Sequence, residues 1–115
     1  MSEDEAACIR ARNAARICTL AILGEVSAER QRQREKFGAQ DDRPSFCPTQ
    51  LTGPLQRKLA SLRSANETAP SWDTIIREEV LEARLAPTAA ELRAELVQVA
   101  AVAVAWIEAL DRGAK

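Results

Sequence analysis

The side chains best suited to chemistry are four acidic residues and an amide in the C-terminal part of the chain. Glu79 and Glu82 stand three positions apart, with Glu78 beside them. Further on, Glu95 and Gln98 are also three positions apart. Residues at this spacing share one face of an α-helix, so each pair presents its oxygens side by side. If the two helices pack antiparallel, the pairs can converge on one point and offer a hard cation such as Mg²⁺ its preferred oxygen ligands.

The same pattern has a second interpretation, in which the acidic residues form a solvated helix face. Glutamate favours helices, and the run EEVLEARL contains arginine as well as glutamate. However, Glu82 and Arg84 lack the i,i+4 spacing of helix ion pairs. Glu95 also lies between apolar residues, where a charge is costly unless it is paired or bound to metal. From periodicity alone, both interpretations stay open.

Two predicted helices position these residues. The first begins after Ser71, a favourable N-cap, and ends before Pro87. Thr88 caps the second, with Glu91 three residues later to complete a capping box, and this helix continues to about Arg112. The short break between them favours antiparallel packing of the two helices.

The second of these helices is apolar on nearly every side over residues 96–110. A helix that is apolar all round is buried all round, and a chain of 115 residues can hardly enclose it alone. We therefore expect the core to be completed by oligomerisation.

One long helix, or two nearly continuous ones, is predicted for residues 3 to about 37. Its acidic start and basic end complement the helix dipole, and Gly38 is a suitable stop. Residues 38–54 contain two glycines and three prolines and are predicted to be a loop, followed by a short helix that begins at Leu55 and ends near Asn66. The apolar stripe of the long helix consists of Ile9, Ile17, Leu20, Leu23 and Val26.

Composition favours an all-α fold. Hydrophobic residues make up 46% of the chain but aromatic residues only 3%, and alanine, leucine, arginine and glutamate dominate. This mixture suits packed helices better than sheets. We expect one domain over residues 1–115, a helical bundle of about four to five helices, with residues 1–19 as an N-terminal helical extension.

Charge and residue content exclude several functions. The net charge of −1 provides no electrostatic support for nucleic-acid binding. No apolar run of about 18 residues predicts a membrane span, and the acidic N-terminus is unlike a signal peptide, so we expect a cytoplasmic protein. The chain has no histidine, which excludes Ser-His-Asp and Cys-His catalysis. Its four glycines are scattered, so a phosphate-binding glycine loop has no basis.

The segments EEVLE and ELVQVAAVAVAWIEALDR resemble the all-α NTP pyrophosphohydrolase superfamily, in particular small MazG-like proteins of actinobacterial and phage type. The motif of that superfamily is E-x-x-E, a spacer, and E-x-x-D. Glu79 and Glu82 match its first half; Glu95 matches the start of its second half, where Gln98 replaces the aspartate. The upstream run ERQRQREKFGAQ is similar to the start of the same proteins, so the resemblance covers roughly residues 20–112.

The resemblance implies a function and a set of roles. A nucleoside triphosphate would be cleaved to the monophosphate and pyrophosphate with Mg²⁺, or Mn²⁺, as cofactor. Glu78 and Glu79 would be the catalytic residues. The metal ligands would be Glu79, Glu82, Glu95 and Gln98, and the nucleotide would contact Arg30, Gln33 and Lys36 on the long helix.

Three functions are consistent with these observations. The first is the pyrophosphohydrolase, assembled as a homodimer or homotetramer, with a nucleotide rather than nucleic acid or a membrane as its partner. The second is a protein of the same fold that binds or sequesters a nucleotide, because Gln98 supplies a neutral oxygen where the motif has a carboxylate. The third is a helical interaction module whose acidic residues lie in solvent.

Overall fold

The computed structural model describes residues 1–46 and 52–115, and within them every regular element is an α-helix. This confirms the predicted all-α fold. The four helices are α1 (Glu3–Phe37), α2 (Thr52–Thr68), α3 (Trp72–Arg84) and α4 (Ala89–Asp111).

Helix α1 has the bounds that the sequence predicts. The Ser2 side chain accepts a hydrogen bond of 3.1 Å from the backbone amide of Glu5 and so caps the first turn. Gly38 follows the last turn at a φ of 67°, a conformation that a residue with a Cβ rarely adopts. Because α1 is continuous, the predicted extension over residues 1–19 is the first half of the same helix.

The chain divides into two compact units. The first consists of Met1–Asp42 and Ile107–Lys115, and the second of Arg43–Trp106. In the first unit, the hydroxyl of Thr19 donates a hydrogen bond of 2.7 Å to the carboxylate of Glu108. The acidic residues singled out above all belong to the second unit.

Within the second unit, α2 packs closely against α3. Leu59 on α2, and Leu81 and Ala83 on α3, are the most buried residues of these helices. Helix α2 begins at Thr52, inside the predicted loop over 38–54 and three residues before the predicted helix, and it continues to Thr68. Residues 47–51 of that loop lie outside the described residues.

Helices α3 and α4 are joined by the short connection that the sequence predicts. Ser71 and Thr74 form a capping box at the start of α3, and Thr88 accepts a hydrogen bond of 3.1 Å from the Glu91 amide. The rings of Trp72 and Trp106 stack with their centroids 6.4 Å apart. Since Trp72 begins α3 and Trp106 lies near the end of α4, the two helices run antiparallel.

Many apolar side chains of α1 and α4 remain in solvent. In α1 the whole predicted stripe is exposed, by between 41% at Ile9 and 66% at Ile17, and Ile22 is buried instead. In α4, Leu96 and Val97 are each about half exposed. None of the helices in the described residues is both long and apolar enough to cross a membrane.

Candidate metal centre

Helix α3 brings three carboxylates together on one side. Glu78, Glu79 and Glu82 are all half-buried, and each offers an oxygen within 4.8 Å of the others. The helix itself produces this arrangement, because positions 78 and 79 are adjacent to each other and lie four and three residues before position 82. We call these three residues the acidic cluster. Oxygen atoms at such separations can bind a common divalent cation.

The ionised form of Glu79 is electrostatically disfavoured in the acidic cluster. Burial raises the pKa of Glu79, and the negative charges of Glu82, Glu95 and Glu78 raise it further. The protonated form of Glu79 also hydrogen-bonds to Glu82, which adds to the same upward shift of its pKa. A bound cation would relieve this repulsion, so the electrostatics of the cluster are those of a site that gains from positive charge.

Glu95 approaches the cluster from α4. Its side chain is half-buried, and its charge is close enough to contribute to the raised pKa of Glu79. Gln98, one turn further along α4, is exposed. The structure therefore brings Glu95 near the α3 carboxylates.

Helix α2 adds a side chain to the cluster that the sequence did not indicate. The Asn66 amide nitrogen donates to the Thr74 carbonyl at 3.1 Å and to a Glu78 carboxylate oxygen at 3.4 Å. Its amide oxygen is buried and has no hydrogen-bond partner. Asn66 thus holds Glu78 from one side, at the cost of an unsatisfied oxygen of the kind that bound water or an ion often satisfies.

Arg63, one turn before Asn66, contacts the cluster as well. Its guanidinium lies 3.3 Å from a carboxylate oxygen of Glu82. The Arg63 side chain is 56% exposed and that of Glu82 only 22%, so the pair is at the edge of the solvent. Asn66 and Arg63 share one face of α2, but nothing in the sequence near them marks that face as part of a site.

A cavity of about 400 Å³ lies beside these groups. Its polar lining includes Arg63, Glu82, Glu91 and Glu95. The remaining lining is apolar or small and consists of Leu59, Leu85, Ala86, Pro87 and Ala94. Small-molecule sites commonly have this size, and commonly combine an apolar wall with a few charged groups.

The residues predicted to bind the nucleotide lie on α1 in the first unit. Arg30 donates a hydrogen bond to the side-chain oxygen of Gln33, and both stay on the helix surface. The ammonium of Lys36 lies 5.2 Å from the centroid of the Phe37 ring. Arg30 also lines a cavity of about 470 Å³ with Arg34 and residues 38–41.

In comparison with known proteins, no family model, characterised protein or solved structure matches the chain. The resemblance to the pyrophosphohydrolases is therefore a prediction from the motif alone. What the structure shows is the approach of Glu78, Glu79 and Glu82 to one another, with Glu95 nearby.

Proposed function

We propose that this chain is a Mg²⁺-dependent nucleoside triphosphate pyrophosphohydrolase of the MazG-like type. The observation that carries the proposal is the convergence of the Glu78, Glu79 and Glu82 oxygens within 4.8 Å. The order of Glu79, Glu82, Glu95 and Gln98 along the chain, which resembles the motif of that superfamily, supplies the reaction type.

The donor set fits a hard divalent cation. Glu79, Glu82 and Glu95 would hold Mg²⁺ or Mn²⁺ through carboxylate oxygens, with Gln98 offering a neutral carbonyl oxygen. When bound, such an ion neutralises phosphate charge and lowers the pKa of a water molecule. Burial, and then the charges of the neighbouring carboxylates, raise the pKa of Glu79, and a bound cation would offset the repulsion between these charges.

The other residues would orient the reactants. Glu78 receives a hydrogen bond from Asn66 on one carboxylate oxygen, which leaves further lone pairs to orient the attacking water and accept its proton. The resemblance implies that Arg30, Gln33 and Lys36 on α1 are contacts to the nucleotide. The cavity beside Glu82 and Glu95 would receive the phosphate chain, whose transfer depends chiefly on positioning and charge stabilisation.

A second candidate function is binding of a nucleotide without turnover. The observation that favours it is Gln98, whose neutral side chain provides one fewer negative charge than the motif's aspartate. Fewer charges lower the affinity for Mg²⁺ and make a second ion harder to hold. The fold and the ligand class would be the same in both cases.

We also propose that the chain acts as a homodimer or homotetramer. Support comes from the apolar side chains of α1 and α4 that are exposed in the single chain, such as Leu20 at 58% and Val97 at 54%. Monomeric proteins rarely expose large contiguous apolar patches. Light scattering during size-exclusion chromatography should give at least twice the chain mass of 12.6 kDa.

The test of the proposed reaction is product analysis. The full chain is incubated with a panel of ribo- and deoxyribonucleoside triphosphates and Mg²⁺, then Mn²⁺, and the products are separated by anion-exchange chromatography. We expect monophosphate plus pyrophosphate, abolished in Glu82→Gln and unchanged in Glu25→Gln, which makes the same charge change on α1. Intact nucleotides from wild type, with turnover restored in Gln98→Asp, would instead support the binding function. Intact nucleotides from both would refute the hydrolase on this panel.

A further inference from the structure

The position of Arg63 suggests more than a surface ion pair. Its guanidinium contacts Glu82, one of the proposed metal ligands, at 3.3 Å, and lines the same cavity of about 400 Å³ as Glu82 and Glu95. Helix α2 thus brings a cation to the edge of a group of carboxylates. Arg63 and the divalent ion would therefore compete for the carboxylate oxygens of Glu82.

The ion pair between Arg63 and Glu82 is easily replaced. Arg63 is 56% exposed, and ion pairs with such access to water contribute little to stability. A divalent cation on Glu82 would remove the negative charge that holds the guanidinium. Arg63 would then still line the cavity but would no longer be paired with the Glu82 carboxylate.

Phosphate oxygens are the natural replacement partner. A guanidinium matches them with two parallel, charge-assisted hydrogen bonds, and it is always protonated at neutral pH. A triphosphate that enters with the metal ion brings these oxygens into the cavity. The cavity lining also includes the apolar Leu59 and Leu85 and the carboxylate of Glu91.

We propose that Arg63 is a phosphate-binding residue, held by Glu82 in the metal-free protein and transferred to the phosphate chain of the nucleotide when a divalent cation occupies the acidic cluster. This inference rests on the proposed function, because it requires a cation at Glu82. It adds a substrate contact on α2, in the same unit as the acidic cluster.

Two binding measurements on the full chain test the proposal, both by isothermal titration calorimetry. The first titrates Mn²⁺ into metal-free protein. The second titrates the preformed complex of Mg²⁺ with inorganic tripolyphosphate, which contains no base or sugar. The variants are Arg63→Gln and Arg63→Lys, with Arg77→Gln as a matched control, because Arg77 pairs with Asp73 on α3 at 3.0 Å and makes the same charge change when replaced.

The expected effects of Arg63→Gln have opposite signs. Mn²⁺ should bind severalfold more tightly, because a competing cation is gone, while the tripolyphosphate complex should bind at least tenfold more weakly. Arg63→Lys should bind Mn²⁺ like wild type but tripolyphosphate more weakly, because lysine lacks the two-pronged geometry. Arg77→Gln should change neither affinity by more than about twofold.

Other results would overturn the proposal in distinguishable ways. If wild type binds Mn²⁺, and Arg63→Gln binds the tripolyphosphate complex as tightly as wild type does, then Arg63 does not bind phosphate. The proposed function is unaffected by that result. If both affinities of Arg63→Gln fall together with its melting temperature, Arg63 has a structural role only. If wild type binds no Mn²⁺, this inference and the proposed function both fail.

Discussion

Replacing Glu79 by glutamine should make the metal-free protein more stable and remove most of its response to Mg²⁺. The pKa of Glu79 is raised by burial and by the charges of Glu82, Glu95 and Glu78, so its ionised form is disfavoured in the folded chain. Glutamine has nearly the same size and helix propensity but no charge. The substitution therefore removes a repulsion and, with it, one of the proposed metal ligands.

The magnitude follows from the separation of the carboxylates. Two unit charges 4.8 Å apart, the upper limit within the cluster, repel by about 1 kcal/mol at the dielectric constant of water and by about 3 kcal/mol at an effective value of ~20. The cluster is half-buried and open to salt, so we use the lower repulsion energy for the pair of Glu79 with Glu78 and for the pair of Glu79 with Glu82. Glu79→Gln should thus stabilise the metal-free protein by about 1–2 kcal/mol, or about 4–8 °C in melting temperature for a chain of this size.

Mg²⁺ should act in the opposite direction. At a concentration ten times its Kd, a ligand specific for the folded state stabilises wild type by about 1.4 kcal/mol, which corresponds to about 6 °C. In Glu79→Gln this shift should fall to less than half. The melting temperatures are measured by circular dichroism at pH 7 and low salt, with EDTA and then with Mg²⁺, beside Glu25→Gln as the charge-matched control. A variant that is less stable than wild type in EDTA, or that keeps the full Mg²⁺ shift, would refute the reasoning.

Three further predictions concern pH, the tryptophan pair and Asn66. Because the pKa of Glu79 is raised on folding, the folded state binds the proton of Glu79 more tightly than the unfolded state does. The free energy of unfolding in EDTA should therefore fall as the pH rises from the ordinary glutamate pKa through the raised pKa. Urea titrations at several pH values should show this fall in wild type and a smaller one in Glu79→Gln. Trp106→Ala should cost about 2–3 kcal/mol in urea unfolding and abolish the near-ultraviolet dichroism of the stacked rings, whereas a loss below about 0.5 kcal/mol would mean that the stack does not hold α3 to α4. Asn66→Ala should lower turnover severalfold with a stability change within about 1 kcal/mol, because it frees the Glu78 carboxylate that is proposed to orient the attacking water; unchanged turnover would show that the hydrogen bond to Glu78 is unimportant for the site.

The sequence predicted the features that depend on local signals. The start of α3 follows from Ser71, and the start of α4 from Thr88, because a capping side chain acts within three residues of itself. The approach of Glu79 to Glu82 follows equally from helical periodicity. These elements form from interactions between near neighbours along the chain, so periodicity and capping residues are sufficient to indicate them.

The contacts between helices were not predictable in the same way. Arg63 meets Glu82 across nineteen positions, and Asn66 meets Glu78 across twelve, because α2 packs against α3 with a particular face. No periodic signal in α2 distinguishes these two polar residues from its other polar residues. Similarly, the apolar stripe of α1 is regular in the sequence, yet Ile17 and Leu20 are exposed in the single chain. Burial depends on the partner surface, which a single sequence does not specify.

The most direct test of the proposed metal centre is electron paramagnetic resonance of Mn²⁺ titrated into the full chain at pH 7. Free Mn²⁺ gives a sharp spectrum that disappears on binding. The signal therefore gives the concentration of free Mn²⁺, and subtraction from the total gives that of bound Mn²⁺. We expect about one tightly bound ion per chain in wild type and in Glu25→Gln, and weak or no binding in Glu82→Gln. Binding that is absent from wild type, or that survives unchanged in Glu82→Gln, would contradict the assignment of α3 as the metal-binding helix.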